Sequence, residues 1–139
     1  MAGAQTPPRG ITAPISIGEL IDKISILEIK AARIADRAKL RNVTAELEIL
    51  SAVRSAAGLD TAEMRPLADE LKTVNAALWD IEDEIRELEA RQDFGDRFIA
   101  LARSVYLTND RRSRIKHSIN LKFASEMVEE KSYAGKTAS

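Results

Sequence analysis

The stretch LADELKTVNAALWDIEDEIREL, residues 67–88, decides the fold. Its apolar positions are Leu67, Leu71, Val74, Leu78, Ile81, Ile85 and Leu88, at intervals that alternate between four and three. An α-helix gathers residues so spaced into one stripe. A stripe held for about three heptads is buried along a second helix. The stretch therefore predicts a long helix in an all-α bundle and by itself names no chemistry.

The neighbouring sequence supplies the partner. Pro66 opens the helix, where its missing N–H costs nothing. Residues 92–96, with Gly95, form a turn that reverses the chain into an αα-hairpin. The returning helix carries Phe98, Leu101 and Val105 on one face, continued by Ile115 and Ile119. Thr108 and Arg112 interrupt that face. This implies either a break, with Asn109 or Asp110 capping a fifth helix, or a polar pocket.

Upstream, Ser16 and Glu19 have the spacing of a capping box. The helix after them reads Ile17, Leu20, Ile24, Leu27, Ala31, Ile34, with a second apolar edge at Ile26 and Ile29. A helix apolar on two sides is central in its bundle or shared with another chain, so a homodimer is expected. The pattern changes phase near 36–41. A second helix over about 39–57 follows, ending at Gly58, although one bent helix from Ile17 fits as well. Residues 59–65 read as a connector. The expected fold is an all-α helical bundle of four to five helices with a long central αα-hairpin. It fills one domain, 15–124, between an N-terminal tail (1–14) and a frayed C-terminal tail (125–139).

Composition agrees with a globular helical chain. Of 139 residues, 45% are hydrophobic and 31% charged, and only 4% are aromatic, so the core must be aliphatic. Cysteine is absent, which excludes thiol nucleophiles, thiolate metal sites and disulfides. No run approaches the roughly 18 apolar residues of a membrane span, and the first residues lack the apolar core of a signal peptide. A cytoplasmic location is the expectation. With a net charge of −1, neither nucleic acid nor an acidic membrane is demanded as partner, and no nucleic-acid-binding motif accompanies the basic segment. That charge is polarised, however: residues 66–92 carry −5 and residues 94–123 carry +5. Two oppositely charged helices packed side by side would account for this, and so would a basic face that receives an anion.

The functional side chains concentrate in 103–120. On a helix, Asn109, Ser113, Lys116 and Asn120 share one face, and Arg103, Tyr106 and Asp110 form a neighbouring strip. Folding the chain back near Phe94 brings Asn75 level with Ser113 and Trp79 level with Asn109. The candidate ligand-binding set is therefore Asn75, Trp79, Arg103, Tyr106, Asn109, Asp110, Arg112, Lys116 and Asn120. A guanidinium and an ammonium suit a small phosphate or carboxylate, and Trp79 and Tyr106 suit a stacked ring. Equally, these groups can satisfy one another and fix helix register. Glu19 with Asp22, and Glu84 with Glu87, form E-x-x-D and E-x-x-E pairs. All-helical nucleotide pyrophosphatases hold Mg²⁺ with carboxylates so spaced, though in that family the two motifs come in the opposite order. Apart from Mg²⁺ under that reading, no cofactor is implied. The single histidine, His117, excludes a di-iron bundle with two E-x-x-H motifs.

Three segments carry a resemblance: PISIGELIDKISILEIK (14–30), VNAALW (74–79) and ARSVYLTND (102–110). Together they resemble a family of small all-helical bacterial proteins of unknown function, over about 14–123. The resemblance implies a bacterial source and a stand-alone or accessory helical domain, and it assigns no catalytic residue. The leading expectation is a non-enzymatic, homodimeric interaction domain. The alternative is a protein that binds a nucleotide or sugar phosphate, or a Mg-dependent phosphohydrolase, using the polar cluster between the third and fourth or fifth helices.

Overall fold

A computed structural model describes residues 6–132. Among them are four helices and no strand: α1 (Ile17–Arg33), α2 (Arg37–Ala56), α3 (Met64–Ala90) and α4 (Asp96–Lys122). The parts of the expected tails at 1–5 and 133–139 lie outside the described residues. No described helix is long and apolar enough to cross a membrane.

Local chemistry explains most of the boundaries. Ser16 Oγ accepts the Glu19 N–H at 3.1 Å and starts α1. Only that half of the capping box forms, because the Glu19 carboxylate is turned to Lys116. Asp36 Oδ1 accepts the Lys39 N–H at 3.0 Å and starts α2, so α1 and α2 are two helices rather than one bent helix. For α3 the cap is Thr61, whose Oγ1 accepts the Met64 N–H at 3.1 Å. The helix begins two residues before Pro66, which still sits in the first turn where its N–H is not needed.

Three helices end in the same way. Bonds run from Leu59 N to Arg54 O (3.1 Å), Asp93 N to Leu88 O (2.9 Å) and Ser125 N to Asn120 O (2.8 Å). Each closes a Schellman motif around a residue of positive φ: Gly58 (70°), Gln92 (54°) and Ala124 (51°). Only the first is glycine. A side chain in the left-handed region is strained, so Ala124→Gly is expected to stabilise the fold by about 0.5–1 kcal/mol, read as a higher urea midpoint.

Helix α4 decides between two alternatives that the sequence leaves open. It runs unbroken through Thr108–Arg112, and no fifth helix follows among the described residues. The polar interruption is where α4 meets a charged residue of α1, not where the helix stops.

The core joins Leu20, Ile21 and Ile24 of α1 to Met64, Leu71, Val74 and Leu78 of α3 and to Ile115 and Ile119 of α4. Leu47 and Leu50 of α2 and Leu59 of the connector close it. Helix α1 contacts all three other helices. Its second edge is accounted for inside the chain, with Ile29 buried and Ile26 half-buried. Helices α3 and α4 run antiparallel, tied by Arg97 to Glu84 near the turn and by Arg111 to Glu70 at 3.6 Å further along. The core occupies only the half of this pair remote from the turn. Towards the turn the pair extends as an arm, where Leu88 and Leu101 are the buried side chains.

Candidate functional site

The polar residues converge on α1. Asp22 is fully buried, and its carboxylate would be costly there without partners. It has them: Arg112 Nε donates to Oδ1 at 2.9 Å and Nη2 donates to Oδ2, a bidentate pair. Asn75 Nδ2 donates to Asp22 Oδ1 at 2.9 Å and to Ser25 Oγ at 2.8 Å. The Ser25 hydroxyl in turn donates to the Asp22 carbonyl at 2.7 Å. This hydrogen bonding to the Asp22 carboxylate raises the Arg112 guanidinium above its ordinary range, although partial burial opposes the shift.

One turn further along α4, Lys116 is buried with its Nζ 2.7 Å from Glu19 Oε2 and 3.9 Å from Asp22 Oδ2. Glu129, beyond the end of α4, approaches the same Nζ at 3.4 Å. A turn later Asn120 Oδ1 accepts the Gly18 N–H at 2.6 Å. Gly18 allows this close approach, since a Cβ there would lie 2.5 Å from the Lys116 carbonyl oxygen. Arg112, Lys116 and Asn120 thus form a ladder along α4, each rung bonded to the first turns of α1.

Of the expected ligand set, the structure brings together Asn75, Arg112, Lys116 and Asn120. Asn109 stands at the margin, its Oδ1 3.5 Å from Arg112 Nη1. The other four residues are elsewhere. Trp79 is half-buried beneath the Arg33 guanidinium, 5.7 Å from the ring centroid, and Arg33 also binds Asp80 at 2.6 Å. Tyr106 and Arg103 are exposed, and Asp110 is half-buried without a polar side-chain partner among the described residues. The aromatic wall and the cations are therefore not one site.

The four carboxylates considered for Mg²⁺ are not brought together either. Glu19 and Asp22 are taken up by Lys116 and Arg112. Glu84 is held by Arg97 near the turn, and that hydrogen bond lowers its pKa and raises that of Arg97. Glu87 is exposed. Among the described residues no group of three or more His, Cys, Asp or Glu is placed to hold a metal ion.

Sequence reasoning missed the centre of the cluster. It weighs Asp22 as a metal ligand and gives no role to Ser25, Ser125 or Glu129. A signal was present: the second edge of α1, Ile26 and Ile29, continues backwards at helical spacing through Ser25 and Asp22. Chemically the arrangement is an ionic network in which Asp22 and Glu19 balance Arg112 and Lys116, and Glu129 adds a third carboxylate. Two concavities on the surface, one along α2 at Arg37–Glu48 and one beside Arg54 and Lys72, lie away from it.

No curated protein and no solved structure matches the chain. A family model does, over residues 11–139. The chain belongs to that family, a family of unknown function (DUF6165).

Proposed function

We propose that this chain is a non-enzymatic interaction module of a bacterial protein, acting as a homodimer through the arm formed by α3 and α4 near their turn. The supporting observation is the uneven cover of the α3–α4 seam. Where α1 lies over it, Leu71 and Val74 are buried. Towards the turn Ile81, Ile85, Phe98 and Val105 are only half-buried, while Ile99 and Leu107 on the outer face of α4 are about half exposed (54% and 51%). Two helices cannot enclose an aliphatic seam, whereas four can.

Charge selects a second copy as the occupant. In the arm itself residues 79–92 carry −4 and residues 94–107 carry +1, with Arg97 paired to Glu84 and Arg103 in no ion pair among the described residues. A two-fold axis places the acidic arm of α3 from one protomer beside the partner's Arg103, twice over. The full pairing of the Asp22 cluster supports a binding rather than a catalytic role. It leaves no unpaired acid and base side by side.

Light scattering coupled to size exclusion is expected to give a dimer. Ile85→Glu is expected to give a monomer with unchanged helicity, because Ile85 lies outside the main core. A parent chain that stays monomeric at the highest attainable concentration would rule the proposal out.

A further inference from the structure

Asn120 is 1% exposed, and its Nδ2 has no hydrogen-bond partner among the described residues. The same amide's Oδ1 caps Gly18, so the free donor sits against the first turn of α1. Two more donors open onto that turn, the Ile17 N–H and Lys116 Nζ. Both meet the extended segment after α4, although Lys116 Nζ is held more closely by Glu19, at 2.7 Å. Ser125 Oγ accepts the Ile17 N–H at 3.0 Å, and Glu129 Oε2 lies 3.4 Å from Lys116 Nζ. A hydroxyl oxygen and a carboxylate from the chain's own strap therefore stand at a helix N-terminus beside a lysine, the kind of place where oxyanions bind.

The strap is lightly held. Its large side chains, Met127 and Val128, are 45% and 36% exposed, and the Glu129 side chain is 40% exposed. Beneath it Lys116 is 7% exposed and Asn120 1%, so the body of the protein is built more firmly than its cover.

We propose that the first turn of α1, with Lys116 and Asn120, is a binding site for a small ligand bearing an oxyanion, and that residues 125–129 are its built-in competitor. With the strap lifted, Asp22 and Glu19 balance Arg112 and Lys116. The attraction then comes from the freed Ile17 N–H, the positive end of α1 and the unpaired Asn120 amide. A neutral frame of this kind suits a singly charged group, a carboxylate or a phosphate monoanion, better than a highly charged one. The site is independent of the dimer reading, since the arm lies at the far end of α3 and α4.

The test is titration of the full chain with inorganic phosphate and, separately, acetate, against chloride at matched ionic strength. The Ile17 and Gly18 backbone amides and the Asn120 side-chain amide are followed by NMR. Saturable shifts in all three are expected, and the stronger of the two arms identifies the preferred oxyanion. The strap variant Ser125→Ala/Glu129→Gln is expected to bind roughly fivefold more tightly, because a larger fraction of molecules is open. Asn120→Asp keeps the acceptor that caps Gly18 and exchanges the free donor for a carboxylate. It is expected to weaken binding about tenfold with unchanged circular dichroism. No saturable shift in either the parent or the strap variant would overturn the proposal, as would an Asn120→Asp chain that binds as tightly as the parent. The strap comparison changes only residues beyond α4, so it decides the matter even if Asn120→Asp fails to fold.

Discussion

Arg112→Ala is expected to cost about 3–5 kcal/mol of stability, because it leaves the Asp22 carboxylate buried without its bidentate partner. Two features place the value towards the lower end. Asn75 still donates to Asp22, and Lys116 Nζ is only 3.9 Å away, close enough to swing across. Urea denaturation of both chains measures the difference directly. Asp22→Asn in the Arg112→Ala background is expected to recover much of the loss, since a neutral amide still accepts from Asn75 and carries no charge to strand. A loss below about 1 kcal/mol for Arg112→Ala would show that the pair does not hold the fold and that Arg112 is free for a ligand. The arginine that looks most like a ligand-binding residue in the sequence thus becomes a test of which role the cluster plays.

Gly18→Ala is expected to destabilise the chain by about 2–3 kcal/mol, against the usual sign for replacing a helical glycine. The new Cβ would stand 2.5 Å from the Lys116 carbonyl oxygen, 3.1 Å from its carbonyl carbon and 3.0 Å from Asn120 Oδ1. Two of these atoms are backbone, so relief requires α4 to move away from α1. That movement strains every rung of the Arg112, Lys116 and Asn120 ladder at once. Thermal unfolding reads the cost as a lower midpoint, and a midpoint equal to or above that of the parent would refute the close packing. Gly10 supplies the control, because nothing lies within 4 Å of a Cβ built there.

The helices were legible because their causes are local. The Leu67–Leu88 stripe, the Ser16 cap and the Gly58 stop each depend on residues within a turn or two of one another. The starts of α2 and α3 were read two residues late. Their caps, Asp36 and Thr61, lie in stretches with no apolar period to mark them. The fifth helix, one of two readings open for Thr108 and Arg112, does not form among the described residues. An apolar stripe broken by polar side chains looks like a helix end when its partner is assumed to be apolar. Here the partner surface holds Asp22.

The candidate site was legible in part for the same reason. Asn75, Arg112, Lys116 and Asn120 stood out as polar residues beside a seam, and they do gather. Trp79, Tyr106, Arg103 and Asp110 share their segments but make none of the cluster's hydrogen bonds. One-dimensional spacing assigns a residue to a helix face without saying which neighbour that face meets.

By itself the sequence determined that the chain is an all-α bundle, where its helices run, and that α3 and α4 are opposite in charge. Periodicity, capping and composition are properties of short stretches, so they survive without knowledge of the fold. The tertiary structure alone decided that Asp22 is the centre of the cluster, that Gly18 is a point of backbone contact and that Ser125 and Glu129 return to the start of α1. These contacts join residues 90 or more positions apart. Their existence depends on the angle at which α1 crosses α4, which the packing of the whole core sets.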